Sequence, residues 1–85
     1  MNHNKQTYEA TFKAIGQVTV VQRVEGIDLR DAASRFFTSD QGMALAKEHH
    51  ISADIIHEFP GNFDSHITVS ENYWSLQVAL VKQYS

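Results

Sequence analysis

The chain has 85 residues, ten acidic and seven basic, for a net charge of −3 with the five histidines neutral. That length allows one domain with one modest core, in which roughly 60% of the unfolded chain's surface becomes buried. With no cysteine, disulfides, thiolate catalysis and thiolate metal sites are excluded. The dispersed, slightly acidic charge lacks the clustered Lys and Arg by which nucleic-acid binders meet phosphates.

A hydrophobic fraction of 42% and an aromatic fraction of 11% describe a folded chain. The opening "MNHNKQ" is polar, without the apolar core of a secretory signal, and residues 1–6 read as a flexible tail. No apolar run approaches the length of a membrane span. These features lead to the expectation of a cytoplasmic protein of one domain covering residues 1–85, with no cofactor.

"TYEATFKAIGQVTVVQRVEG" reads as a β-hairpin. Tyr8, Ala10, Phe12 and Ala14 alternate with Glu9, Thr11 and Lys13, the period of a half-buried strand. Gly16 marks the turn. Val18, Val20 and Val24 then continue the inner face, with Thr19, Val21 and Arg23 opposite.

"GIDLRDAASRFF" reads as a helix capped by Asp28, with Asp31 three residues later supporting the cap. Leu29, Ala32, Ala33, Phe36 and Phe37 form one apolar stripe, and the two alanines allow a close seat on a sheet. "TSDQGMALAKEHH" continues as a second helix or a bent extension, capped by Thr38 or Ser39, with Met43, Leu45 or Ala46 inward and Gly42 weakening it. Two such helices could suggest a helix-turn-helix, but Lys47, Gln41 and histidines are too few donors to position a DNA reader.

From Ile51 onward the pattern suggests three strands: "SADIIHEF", "HITVS" and "SLQVALVKQY". In the last, Trp74, Leu76, Val78 and Leu80 hold one face. The expected fold is α+β: a single antiparallel sheet, elements in the order β-β-α-(α)-β-β-β, with the helical region packed on one face.

"HHISADIIHEFPGNFDSH" contains four of the five histidines. His49 and His50 fall at a helix end, where the dipole favours a solvated imidazolium. Strand parity puts His57 in an inner row with Ile55 and Phe59. The register that keeps apolar residues together pairs Ile55 with Val69, His57 with Ile67, and Glu58 with His66 on the outer face. Asp54, Glu58 and His66 are therefore the weak metal candidates, suited to Zn²⁺ or Ni²⁺, though a cross-strand charge pair needs no metal. No HExxH, nucleophile elbow, phosphate loop or dinucleotide fingerprint occurs, so no catalytic residues are assigned.

The outer sheet face carries Val21, Ile56, Ala79 and Val81 among polar residues, the layout of a small recognition patch. Phe63, on the loop "PGNFDS", adds an exposed aromatic anchor. These five residues are the expected partner-binding set. The function they imply is a non-enzymatic protein-interaction module that inhibits or bridges a protein partner, with self-association into a homodimer as one use of the sheet. The alternative is a ligand-binding or enzymatic domain, dimeric or not, built on the Glu58/His66 surface. In size and single-domain compactness, though in no residue motif, the chain is similar to phage-encoded inhibitors of host or bacterial defence proteins, anti-CRISPR proteins among them. Antitoxins and subunit-bridging proteins fit the same description.

Overall fold

The computed structural model describes residues 5–15, 17–61, 65–71 and 73–81. Strand β1 (Gln6–Ala14) and strand β2 (Gln17–Gly26) form the expected hairpin. Helix α1 (Leu29–Thr38) and helix α2 (Asp40–Glu48) follow, then a 3-10 helix over Ala53–Glu58. Strands β3 (His66–Ser70) and β4 (Trp74–Leu80) complete one antiparallel sheet of order β2-β1-β4-β3. This is the expected α+β fold, and β1 begins one residue inside the tail anticipated over residues 1–6. Among the described residues no helix is long and apolar enough to cross a membrane.

Alternation decides the inner face of the sheet. Tyr8, Ala10 and Phe12 of β1 and Leu76 and Val78 of β4 are buried, and Trp74 and Val69 nearly so. They meet Leu29, Ala32, Ala33 and Phe36 of α1, all fully buried, so the apolar stripe read from the sequence is the helix face that packs. Each large side chain taken out of water in this way contributes about 1.5–3 kcal/mol.

The start of α1 is fixed by polar chemistry. Asp28 adopts an extended backbone and its carboxylate accepts from the Asp31 amide at 2.8 Å, the expected cap. The Asp31 carboxylate in turn accepts at 2.9 Å from the amide of Ile27, the residue before the cap, so the chain is held on both sides of the helix start. Gly26 lets this first turn sit directly on β2: a Cβ there would stand 2.8 Å from the backbone nitrogen of Ala32.

Ser39 separates the two helices. Its backbone is extended, its hydroxyl donates to the Phe36 carbonyl at 2.6 Å and accepts from the Gly42 amide at 3.2 Å. One residue therefore closes α1 and opens α2, and the helical region is two helices rather than one bent one. Gly42 is required by the resulting fold-back, because a Cβ there would collide with the Phe36 carbonyl. Leu45 is the buried residue of the α2 stripe, whereas Met43 is exposed.

Two expectations are corrected. The segment expected as a strand over residues 52–59 is a 3-10 helix, outside the sheet. Ser52 caps it by accepting from the Asp54 amide at 3.2 Å, and Phe59, fully buried, anchors its end. The adjacent Ile55 and Ile56 both pack against the core, which a period-two strand forbids and a helical turn permits. The chain is tied to α1 where Arg30 donates from Nε to the Phe59 carbonyl at 2.8 Å and from its amide to the Pro60 carbonyl at 3.1 Å. Val18, expected inside, is outside, because the register shifts between Phe12 and Lys13: Phe12 faces Val20, but Lys13 faces Val18. Thr19 is the extra residue of a β-bulge, and the inward parity of Val20 is lost beyond it.

Two predictions follow from these contacts. Gly42→Ala forces the two helices apart and should cost about 1–3 kcal/mol in denaturant unfolding, against the small gain a helical alanine normally brings. The Tyr8 phenol is pushed above its ordinary value of 10.0, first by burial and then by the charges of Asp28 and Asp31. The folded chain thus retains a proton that the unfolded chain releases. Stability from this source is intact below pH 10, and is lost as the pH rises through the ordinary value towards the raised one. Unfolding midpoints measured at pH about 9 and 11 should fall between the two, and Tyr8→Phe should flatten the fall.

Candidate functional site

The expected binding residues do not assemble into one patch. Helices cover the inner face, and the outer face carries rows set by the ladder. Across the sheet from β2 to β3, one row runs Arg23, Glu9, Ala79, His66, and the next runs Val21, Thr11, Gln77, Thr68. Val21 and Ala79 are therefore diagonal neighbours across β1, with Glu9 and Thr11 between them. Val81 lies at the end of β4, its amide donating to the Thr7 carbonyl at 2.9 Å. Ile56 belongs to the other side of the molecule, packed against the core and lining an apolar groove with Phe37, Ala46, Ile51 and Ile55. Phe63 lies outside the described residues.

The histidine-rich stretch is dispersed further than parity alone implied. His66 pairs with Ala79 on the open face, and its Nδ1 lies 3.2 Å from the Ser65 hydroxyl. Glu58 ends the 3-10 helix, so the expected Glu58–His66 ladder pair does not form, nor do Ile55–Val69 and His57–Ile67. His57 is exposed rather than inward. Asp54 and Glu58 instead line a groove with His50, Glu71 and Trp74. Among the described residues no three His, Asp or Glu side chains converge where a metal ion could be held.

His49 has a role the sequence did not reveal. It caps α2, its amide donating to the Leu45 carbonyl at 2.9 Å, yet its ring is turned inward and only 12% exposed. The ring stands 5.4 Å from Phe12 and 5.6 Å from Tyr73, while Phe12 stacks on Trp74 at 5.7 Å. The Tyr73 hydroxyl donates to the His49 carbonyl at 3.3 Å. An imidazole thus joins the helix end to the β3–β4 turn. The next residue, His50, reverses the chain at φ 55° and points to solvent.

This aromatic cluster supports the most exposed apolar feature of the described fold. Ile15, at the β1–β2 turn, is 81% exposed and holds φ 55°, a conformation that β-branched residues avoid. Its amide is locked to the Tyr73 carbonyl at 2.8 Å. Val18, turned outward by the bulge, is 56% exposed, and Tyr73 is also exposed. Ile15 and Tyr73 line a shallow groove with Lys13, Glu71, Trp74 and Ser75. One end of the sheet therefore presents Ile15, Val18 and Tyr73 beside a lysine. Unbroken alternation keeps Val18 and Val20 on one face, and no local feature of the sequence marks the shift of register between them.

His49→Ala should leave a gap between Phe12 and Tyr73. The expected loss is about 1–3 kcal/mol by denaturant unfolding, larger than an exposed helix-end histidine could cause. Comparison of the chain with protein-family models, curated proteins and solved structures finds no match to any of the three.

Proposed function

We propose that this chain is a small, non-enzymatic protein-binding module whose contact surface is the Ile15 end of the sheet. The observation that carries the reading is Ile15 itself, a large apolar side chain 81% exposed on a backbone with φ 55°. A β-branched residue there costs stability of order 1–3 kcal/mol, and glycine or asparagine would serve the turn better. Such strain is concentrated at ligand clamps and binding loops. Val18 and Tyr73 extend the apolar area, and Lys13 gives it a charged rim, the arrangement by which a hot spot excludes water.

The partner chemistry that fits is a protein offering an apolar cleft deep enough to take an isoleucine. Binding there occludes the cleft, and two such contacts bridge two partners. Inhibition of a host or bacterial defence protein in the manner of phage-encoded inhibitors is one form of such occlusion. A chain without cysteine suits the reducing cytoplasm for this work.

The test compares stability with binding in one variant. Ile15→Gly should raise folding stability by about 1 kcal/mol or more, because it relieves the left-handed strain. It should also weaken capture of the partner from the native host by at least about tenfold, a hot-spot loss. Val18→Asp should weaken capture without a comparable change in stability. Retention of the same partner by both variants would remove this surface from consideration.

A further inference from the structure

We propose that two copies of this chain pair edge to edge through β2, forming a continuous eight-stranded sheet about a two-fold axis at Val24. Among the described residues β2 has β1 as its only sheet neighbour, so its other edge is open. The hydrogen-bonding direction of that edge follows from the ladder. The Thr7 carbonyl and the Ile15 amide bond to residues 81 and 73, so the odd residues of β1 address β4. The even residues address β2, where Ala10 faces Gln22 and Tyr8 faces Val24. Val21, Arg23 and Glu25 therefore turn their amides and carbonyls away from β1, towards the open edge.

Their side chains make that edge self-complementary. The outer face along it reads Val21, Arg23 and Glu25, and Ile27 follows just past the strand. Val21 and Ile27 are 54% and 45% exposed, and both charged residues are exposed. Antiparallel pairing about Val24 sets each Arg23 against Glu25 of the second copy, and each Val21 against Ile27 of the second copy. Arg23 and Glu25 then form pairs that exchange both backbone hydrogen bonds. Other symmetric registers are poorer: an axis at Arg23 or Glu25 opposes like charges, and one at Gln22 sets Val21 against Arg23. The strand carries no proline and no lysine, and its β-bulge at Thr19 lies outside the stretch from Val21 that would pair.

The helices leave room for the join. α1 meets β2 at Gly26, and in this register the two Gly26 residues are separated by four residues along the ladder. That is about 13 Å, more than the ~10–12 Å diameter of a helix with its side chains. The contact is independent of the Ile15 surface, which lies at the other end of β2.

Charge reversal tests the pairing. Light scattering on a sizing column at high chain concentration should give twice the monomer mass for the native chain. Arg23→Glu alone, and Glu25→Arg alone, each oppose like charges and should weaken association by at least about tenfold. An equimolar mixture of these two single variants should recover the dimer, as should the double variant carrying both exchanges. A native chain that stays monomeric at millimolar concentration overturns the proposal. So do single variants that associate as well as the native chain, or a mixture that fails to recover. Because all these residues are exposed, circular dichroism serves to confirm that each variant remains folded. Loss of dimer with partner capture intact, or the reverse, separates this inference from the reading of the Ile15 end.

Discussion

The contact on which the rest of the structure depends is the seat of α1 on the sheet. Gly26 and Ala32 meet at a distance that admits no Cβ, and Leu29, Ala33 and Phe36 are fully buried behind them. A chain this small has apolar material for one such layer, and α2 and the 3-10 helix are drawn to the same side. Arg30, on α1, holds the Phe59–Pro60 backbone there. The cost is asymmetry: one face of the sheet is core, and the other is left with Thr11, Gln77, Thr68 and isolated valines. Surfaces available for function are then the open face, the free edges of β2 and β3 and the two ends of the sheet.

What was legible in the sequence was whatever a single local pattern decides. The cap at Asp28 with Asp31 and the stripe from Leu29 to Phe36 specify α1 without help from the rest of the chain. Trp74, Leu76, Val78 and Leu80 specify β4 equally well, since no other period accommodates them. The segment over residues 52–59 was ambiguous because Ile55 and Ile56 are adjacent. Reading them as a strand leaves one outside, whereas the cap at Ser52 and the buried Phe59 make a helical turn that shelters both. That error carried the Glu58–His66 pair with it, because the pair existed only as a consequence of strand register.

The Ile15 end was illegible for a different reason. Its exposure depends on where a bulge falls, and a bulge moves parity by one residue with no local composition to announce it. Val18 would be an ordinary inward valine if the register of β1 and β2 were unbroken. The inward turn of His49 has a similar origin. A histidine at a helix terminus is normally solvated, and only the approach of Phe12 from β1 and Tyr73 from the β3–β4 turn makes it a packing residue. Long-range placement decided both.

The two proposed surfaces are compatible, and together they favour bridging over simple occlusion. In an antiparallel pair about Val24, the Ile15 ends point in opposite directions. Tyr8 is level with Val24, and seven residues of extended β1 separate it from Ile15, or about 23 Å, so the two contacts would lie roughly 50 Å apart. A single cleft cannot accept both at that spacing. Two partner molecules, or two subunits of one assembly, can, and linking the contacts through a rigid sheet fixes their separation without the entropy loss of a flexible tether. A monomer with the same tip would bind each site singly, so on this proposal edge pairing would act through the affinity for a repetitive or dimeric partner.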